Sequence, residues 1–396
     1  MKYVVIVGDG MADLPSEEID WQTPLEYAYK PNMNRLASSA LIGGLVQTVP
    51  EGMEPGSDVA NMNILGYDPR KYYTGRGPLE AIAMDVPMNK EDVAFRCNLV
   101  STDGERIIDY SAGHISSEEA RKIIEILNEK LGSLKVQFYP GVSYRHLMVW
   151  RNGKDELLLT PPYNIVGQPF KPYLPQGESE EFLRSLIYNS YEILDKLEIN
   201  KIRRDKGLQP ANMIWLWGQG RLPNLPLFFL KWGLVGAVIS AVDLIRGLGK
   251  AAGLQVINVP GATGYIDTNY KGKAEYALRA LEQIDFVFIH IEAPDECGHL
   301  ADLENKIRSI EEIDEKIVGT ILRELPYIDE DFKILILPDH PTPVSVRTHT
   351  SDPVPFFIYS SEKPLKGEEN FSERWGKEKD YFLEEGNKLI EIFLKG

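Results

Sequence analysis

The pattern of hydrophobic and polar positions changes twice along the chain. Toward both ends, short and nearly continuous apolar runs alternate with amphipathic segments. Such runs are typical of strands in a parallel sheet, which helices cover on both faces. The two ends therefore predict one α/β core with a mostly parallel sheet. Its strands are expected at KYVVIVG, GLVGAVISA, LQVINV, DFVFIHI, FKILILP and VPFFIYS.

The middle of the chain has a different pattern of hydrophobic and polar residues. Several of its segments alternate apolar and polar residues, as strands with one solvated face do. SSEEARKIIEILNEKL is an amphipathic helix that opens with a Ser-x-x-Glu capping box. We therefore expect residues 92–220 to form an inserted α+β cap domain, and residues 1–91 and 221–396 to form the core.

Composition narrows the range of partners. With 396 residues, two domains or one domain with a large insertion are expected. A net charge of −16 disfavours nucleic acid or an anionic membrane as a partner. No apolar run reaches the length of a membrane span, and the N-terminus lacks the features of a signal peptide, so a cytoplasmic protein is predicted. Oligomeric state has no signature in the sequence.

The two cysteines, Cys97 and Cys297, are far apart and belong to no C-x-x-C pair. This spacing argues against a disulfide framework or a thiolate zinc site. Cys297 lies in the motif PDECGHL between an aspartate and a histidine, which are better ligands for a hard cation. We expect Cys297 to be a small buried residue.

Acidic and histidine residues follow three of the predicted strands. Ligands collect at the carboxyl ends of strands in open α/β sheets, so these side chains should meet at one edge. A mixture of carboxylate and imidazole without thiolate suits Mn²⁺, Mg²⁺, Co²⁺ or Zn²⁺. Six ligands exceed one tetrahedral site, which predicts two ions. The residues are Asp9, Asp295, His299, Asp339, His340 and His349.

Ser57, in EPGSDVANMNILGYDP, is a candidate nucleophile. It precedes a helix-like run, and the N–H groups of a helix N-terminus attract anions. A serine bound to a divalent cation is also a stronger nucleophile. The alternative for Ser57 is a simple helix cap. His290, within DFVFIHI, is expected to be a core histidine with satisfied hydrogen bonds.

Six motifs occur along the chain in this order: GDGMAD, GSDVANMNILGYDP, TGRGPLEA, PDECGH, PDHPTP and THTSDPVP. Together they resemble the archaeal-type cofactor-independent phosphoglycerate mutases of the alkaline phosphatase superfamily, and the resemblance extends over essentially the whole chain. It implies an alkaline-phosphatase-like core of three layers with an inserted cap. It also implies interconversion of 3-phosphoglycerate and 2-phosphoglycerate through a phosphoserine at Ser57, without 2,3-bisphosphoglycerate.

The resemblance also divides the metal ligands between two ions. One ion would be bound by Asp9, Ser57, Asp339 and His340, and the other by Asp295, His299 and His349. The small phosphorylated hydroxy-acid substrate carries two anionic groups, for which arginine is well suited. Candidates for binding it are His114, Arg145, His146 and Arg221 from the cap and Arg76 from the core. The cap would also exclude water from the phosphoserine.

Three other functions remain open at this point. Bacterial sequences similar to this branch have been proposed to be homoserine kinases, and MKYVVIVGDGMAD and AGHISSEEA share their appearance. The chain lacks the usual phosphate loop of a kinase. A phosphatase or phosphonate hydrolase would use the same core with a looser cap. A non-catalytic binding protein is the third alternative, although it would have no need for a metal-bound serine.

Overall fold

The structure is a computed structural model that describes residues 1–396. The chain divides into two compact units. The core unit comprises Met1–Tyr73 and Asn224–Gly396, and the inserted unit comprises Thr74–Pro223. The inserted unit thus begins earlier than residue 92, because the helix Arg76–Ala83 packs against strands Val93–Thr102 and Met213–Gly220.

Fifteen strands form the sheets of the two units. They are β1 (Lys2–Gly8), β2 (Ile42–Val46), β3 (Val93–Thr102), β4 (Ile107–Asp109), β5 (Val136–Tyr139), β6 (Arg145–Trp150), β7 (Leu157–Leu158), β8 (Gln176–Gly177), β9 (Met213–Gly220), β10 (Gly236–Ile239), β11 (Gln255–Ile257), β12 (Phe286–Ile291), β13 (Phe332–Pro338), β14 (Val354–Ser360) and β15 (Phe382–Leu383).

Sixteen α-helices accompany the strands, and a π-helical segment, Ile313–Val318, joins two of them. They are α1 (Pro24–Tyr27), α2 (Pro31–Ser38), α3 (Ser57–Ile64), α4 (Pro69–Tyr72), α5 (Arg76–Ala83), α6 (Ser117–Leu131), α7 (Glu180–Leu194), α8 (Glu198–Asp205), α9 (Phe228–Trp232), α10 (Asp243–Ala251), α11 (Tyr270–Leu281), α12 (Ala293–His299), α13 (Leu303–Glu312), α14 (Gly319–Glu324), α15 (Glu373–Glu378) and α16 (Leu389–Lys395). None of the helices has the length and apolar character needed to cross a bilayer.

The core unit is built on one eight-stranded sheet, with the order β11-β10-β12-β1-β13-β14-β2-β15. All neighbouring strands are parallel except β14, which is antiparallel to both β13 and β2. Every residue of β12, β13 and β14 is buried, as expected for strands covered on both faces. The predicted α/β class with a mostly parallel sheet is confirmed.

Helices pack on both faces of this sheet. On one face, Ala237 and Ile239 of β10 belong to a buried cluster with Ala277 of α11. On the other face, α10 approaches so closely that a Cβ atom at Gly249 would lie 2.4 Å from Cγ1 of Val238. A larger residue at Gly249 would push α10 away from the strand. The core unit therefore has three layers.

The inserted unit has an antiparallel sheet, with β4-β3-β6-β5 in order and β9 also paired with β3. Helices α6 and α7 cover one face, where Ile123 and Ile187 join Phe95 and Leu99 of β3 in a buried cluster. Because side chains alternate along a strand, Arg96 belongs to the opposite face of β3. This α+β organisation agrees with the sequence prediction.

Candidate active site

Three buried carboxylates collect at one edge of the core sheet. Gly8, the last residue of β1, pairs with Ile291 of β12 and with Pro338 of β13. Asp9 and Asp339 therefore follow neighbouring strands, and Asp295 lies in the first turn of α12, directly after β12. Asp9 is 1% exposed, Asp295 5% and Asp339 0%. The sequence prediction that strand ends bring these acids together is confirmed.

The first ligand cluster consists of Asp9, Asp339 and His340, whose ligand atoms lie within 4.8 Å of one another. The hydroxyl of Ser57 points into it. Its Oγ atom lies 3.2 Å from Oδ2 of Asp9 and 3.2 Å from Nε2 of His340. These distances place a potential nucleophile among oxygen and nitrogen ligands.

Asn61 fixes Ser57 in this position. Ser57 is the first residue of α3, and Asn61 lies one turn later. The Nδ2 atom of Asn61 donates to Oδ2 of Asp339 at 2.7 Å and to the carbonyl of Ser57 at 2.8 Å. One side chain thus ties the start of α3 to the end of β13. Sequence reasoning did not single out Asn61, although its spacing of four residues from Ser57 places both on one face of the helix.

The second ligand cluster consists of Asp295, His299 and His349. Nε2 of His299 lies 3.2 Å from Oδ2 of Asp295, and Nε2 of His349 lies 3.3 Å from Oδ1. The two Nε2 atoms are only 3.0 Å apart. Two lone pairs at that distance repel each other, so a proton or a cation has to lie between them.

Backbone carbonyls set the tautomers of these two histidines. Nδ1 of His299 lies 3.0 Å from the carbonyl of Arg347, and Nδ1 of His349 lies 3.2 Å from the carbonyl of Pro55. A carbonyl can only accept, so each Nδ1 carries a hydrogen, and the neutral form of each ring has its lone pair on Nε2. Metal-binding histidines are oriented in this way in proteins. The second cluster therefore fits a divalent cation.

Thr342 joins the two clusters. Its hydroxyl donates to Oδ1 of Asp295 at 2.5 Å and lies 3.3 Å from Nδ1 of His340. The ring centroids of His340 and His349 are 4.2 Å apart. The clusters are therefore neighbours that can act on one bound phosphoryl group.

The electrostatics of the clusters also fit bound cations. Burial raises the pKa of Asp9 well above its usual range, and the charges of Asp339, Asp295 and Glu292 raise it further. Positive charge near these carboxylates would offset their mutual repulsion. Carboxylate and imidazole donors without thiolate suit Mn²⁺, Mg²⁺, Co²⁺ or Zn²⁺. The residues present therefore fit two divalent cations.

Asp295 is held in its ionised form by the histidines beside it. Burial favours a higher pKa for Asp295, but hydrogen bonds from His299 and His349 hold it well below the usual range. Burial likewise favours a lower pKa for His299, but the hydrogen bond of the protonated ring to Asp295 raises the value to about 9. A cation bound between these groups would take the place of the Nε2 proton. In His340, which is fully buried, the pKa is lowered by loss of hydration. The structure thus keeps Asp295 charged.

Two further residues reach this edge without having been predicted there. His290 is buried, as expected, but its Nε2 atom lies 3.1 Å from Oδ2 of Asp9 and makes no hydrogen bond of acceptable geometry. The expectation of a satisfied core histidine is therefore wrong. Glu292 follows β12 and forms a third acidic group with Asp9 and Asp295. The sequence signal for both residues is their position at the end of a strand that pairs with β1.

In the inserted unit, three predicted substrate-binding residues lie beside aromatic rings. The guanidinium of Arg76 lies 5.9 Å from the centroid of Trp217, and that of Arg145 lies 5.8 Å from Tyr144. The ring of His114 is exposed and lies 6.0 Å from that of Tyr144. These residues thus combine cationic and aromatic groups.

Arg96 belongs to the same group, although sequence reasoning passed over it. Its guanidinium lies 4.5 Å from the centroid of Trp217, and its Nε lies 3.2 Å from Oε1 of Glu80. Burial lowers the pKa of Arg96, Glu80 opposes that shift, and the nearby charges of Arg76 and Arg145 add to it. Three guanidinium groups therefore act on one another here. The signal was the polar position of Arg96 within VAFRCNLVS.

Two of the predicted substrate-binding residues have structural partners instead. Arg221 donates to both carboxylate oxygens of Asp155 and to the carbonyls of Glu91 and Gly153, which occupies four of its five N–H groups. His146 is buried, and its Nδ1 accepts a hydrogen bond from the backbone of Gly141. Neither side chain is available to bind an anion in this arrangement, so we remove both from the proposed substrate site.

Comparison with known proteins agrees with the family resemblance seen in the sequence motifs. Residues 38–200 match a family model described as 2,3-bisphosphoglycerate-independent phosphoglycerate mutase. A protein of that name from Methanothrix thermoacetophila is 50% identical over 396 residues, and one from Methanosarcina acetivorans is 51% identical over 397 residues. Both matches cover 100% of this chain and 100% of the relative.

Two solved structures also resemble the chain over almost its full length. The PH0037 protein from Pyrococcus horikoshii has a TM-score of 0.83 and 30% identity, with 99% of this chain and 96% of that chain covered. The cofactor-independent phosphoglycerate mutase from Thermoplasma acidophilum has a TM-score of 0.65 and 26% identity, with 100% and 99% covered.

Proposed function

Because the chain belongs to the family of 2,3-bisphosphoglycerate-independent phosphoglycerate mutases, we propose that it interconverts 3-phosphoglycerate and 2-phosphoglycerate through a phosphoserine at Ser57. The observation that carries this proposal is the position of the Ser57 hydroxyl. It lies at the first residue of α3 and within 3.2 Å of both Asp9 and His340. The unpaired N–H groups of a helix N-terminus favour the arrival of a phosphate there.

Two divalent cations are the proposed cofactors. Asp9, Ser57, Asp339 and His340 would hold one, and Asp295, His299 and His349 the other. Such ions neutralise phosphoryl oxygens and favour the ionised form of a bound serine hydroxyl. The fit of the two clusters to these ions supports the proposal, since each brings a buried carboxylate and imidazole nitrogens within 4.8 Å of one another.

Each half-reaction moves one phosphoryl group and one proton. As the bond from Ser57 Oγ to phosphorus forms, the bond from phosphorus to O3 of 3-phosphoglycerate breaks, and O3 takes up a proton in place of the one that Ser57 loses. In the second half-reaction the O2 hydroxyl of glycerate attacks the phosphoserine, loses its proton and becomes the phosphate ester, while Ser57 regains a hydrogen. The two half-reactions together need no 2,3-bisphosphoglycerate and release no free phosphate.

We assign recognition of the glycerate to the inserted unit. Its carboxylate requires cationic donors, which Arg76, Arg96 and Arg145 can supply in bidentate form. His114, which is exposed, is proposed as a further contact or as a proton donor to the glycerate hydroxyls. Exclusion of water from the phosphoserine is assigned to the same unit, because a mutase open to water would act as a phosphatase.

A substrate comparison tests this proposal. Purified protein with Mn²⁺ is given 3-phosphoglycerate alone, and 2-phosphoglycerate and free phosphate are both measured. The proposal predicts 2-phosphoglycerate with little free phosphate. Mainly free phosphate would indicate a phosphatase, and phosphorylation of homoserine in a parallel reaction with a phosphoryl donor would indicate a kinase-like phosphotransferase. Either result without mutase activity would overturn the proposal.

A further inference from the structure

One buried histidine at the proposed cation site has no part in the proposed reaction. His290 lies in β12, between β1 and β10, and its side chain is 0% exposed. The parallel register pairs Val7 with His290 and Ile239 with Ile289. Side chains alternate along a strand, so Asp9, two residues after Val7, and Ser240, directly after Ile239, share the face of His290.

The two neighbours contact opposite nitrogens of the His290 ring. Nδ1 lies 3.4 Å from Oγ of Ser240, and Nε2 lies 3.1 Å from Oδ2 of Asp9. In the ionised form that binds a cation, Asp9 can only accept, whereas the Ser240 hydroxyl can donate. The arrangement therefore assigns the hydrogen of a neutral ring to Nε2, facing Asp9.

We propose that His290 is a positioning residue that orients the Asp9 carboxylate for cation binding. This inference rests on the cation site of the proposed function and not on the identity of the substrate. In many metal sites, a residue that does not touch the metal forms a hydrogen bond to a ligating carboxylate and fixes its rotation. His290 would have this role for Asp9.

The surroundings of Asp9 explain why such a partner is needed. Carboxylates crowd Asp9, because ligand atoms of Asp339, Asp295 and Glu292 lie within 4.8 Å of its own. A donor directed at one oxygen of Asp9 restricts the rotation of its side chain among them. The oxygen nearest to His290 is Oδ2, which is also the one nearest to Ser57.

The Nε2 atom of His290 also requires an acceptor. It is buried and makes no hydrogen bond of acceptable geometry. An unsatisfied buried donor destabilises the fold, and a bond to Asp9 would remove this cost.

The backbone of His290 is held independently of its ring. Nζ of Lys273, a buried residue of α11, donates to the carbonyl of His290 at 2.9 Å. The strand position is therefore fixed from the helix side while the ring faces Asp9. Replacing the ring leaves this anchor in place.

Titration of Mn²⁺, followed by the EPR signal of the free ion and without substrate, tests the inference. His290→Leu removes the ring donor, and His290→Gln keeps a side-chain N–H. His146→Leu is the matched control, because His146 is also a buried histidine but contacts no proposed ligand. Melting of each apo protein in EDTA shows whether it is folded.

The expected result is a loss of about 10–100-fold in the affinity of one of two Mn²⁺ ions in His290→Leu. His290→Gln should recover most of that loss, and His146→Leu should bind Mn²⁺ as the wild type does. If His290→Leu does not fold, His290→Asn replaces it, because asparagine is too short to reach Asp9 while retaining a polar group near Ser240.

Three results would overturn the inference. Unchanged Mn²⁺ affinity in folded His290→Leu would make His290 a packing residue. Loss of an imidazole nitrogen coupling from the pulsed EPR spectrum of bound Mn²⁺ in that variant would make it a direct ligand. A wild type that binds no Mn²⁺ would remove the site itself. Failure of mutase turnover with these affinity changes intact would overturn only the proposed function.

Discussion

The hydroxyl oxygen of Ser57 lies 3.2 Å from Nε2 of His340, although 283 positions separate the two residues in the chain. One begins a helix and the other follows a central strand of the sheet. Asn61 holds the two elements together through Asp339. A nucleophile, its ligands and their support thus come from distant segments of the core unit.

Ser57→Ala should lower mutase turnover by at least about 10³-fold, because no other atom occupies the position of the attacking oxygen. The fold should persist, since Asn61 bonds to the Ser57 backbone and not to its hydroxyl. The measurement is kcat for 3-phosphoglycerate together with circular dichroism. Ser185→Ala, at an exposed helical serine, serves as control and should be active. Substantial activity in Ser57→Ala would exclude the covalent route.

Removal of divalent cations should both inactivate and destabilise the protein. Chelation leaves the repelling carboxylates of Asp9 and Asp339 without a neighbouring cation, and Mn²⁺ at 100 times its Kd should stabilise the fold by about 2.7 kcal/mol for each site. Calorimetry with EDTA and with Mn²⁺ measures this difference. Asp295→Asn should reduce both the Mn²⁺ stoichiometry and the stabilisation. Activity and Tm that are indifferent to chelation would contradict the two-cation site.

Arg96→Met should raise the KM for 3-phosphoglycerate by about 10–100-fold, the effect of losing one charge-assisted hydrogen bond. Arg221→Met should leave KM unchanged and lower the Tm, because Arg221 is bound to Asp155 and two carbonyls. Steady-state kinetics and thermal melts of the two variants separate the roles. If Arg221→Met raised the KM and Arg96→Met did not, Arg221 would belong to the substrate site and Arg96 would not.

His146 should make the protein sensitive to mild acid. Burial lowers its pKa to about 3, whereas the unfolded chain has the ordinary value near 6.5. Between these values the unfolded state binds more protons, so stability is full above pH 6.5 and falls by about 1.4 kcal/mol per pH unit as the pH drops toward 3. His146→Asn should lose less stability than wild type between pH 7 and 5 in urea titrations. Equal losses would show that His146 does not contribute.

Both cysteines should resist alkylation in the native protein. Cys97 and Cys297 are buried, and burial raises the pKa of Cys97 and raises that of Cys297 to about 12. The reactive thiolate is therefore scarce at pH 8. Mass spectrometry after iodoacetamide treatment should show no modification until urea is added. Rapid labelling of Cys297 would place it at an accessible surface instead.

The sequence was sufficient to predict the site residues that directly follow a strand. The apolar runs of β1, β12 and β13 predict buried strands, and the acids after them fall at the same edge whatever the detailed register. It was insufficient for residues whose role depends on which strands pair with each other. His290 reads as a core residue until β12 is aligned with β1, and Arg96 reads as a strand residue until Trp217 lies opposite it.

The sequence also does not show which residues far apart in the chain contact each other. Arg221 resembles an anion-binding residue until Asp155, 66 positions earlier, is found beside it. The helix after Thr74 could pack on either unit, and only its contacts with β3 and β9 assign it to the inserted one. Such choices depend on which buried faces fit together, and a local pattern does not encode them.

The most direct test of the central claim is rapid acid quenching of the Mn²⁺ enzyme during turnover of 3-phosphoglycerate, followed by mass spectrometry of its peptides. Phosphate should appear on the peptide that contains Ser57 within the first turnover, and it should be absent from Ser57→Ala. Formation of 2-phosphoglycerate with no phosphate on Ser57 at any quench time would contradict the account.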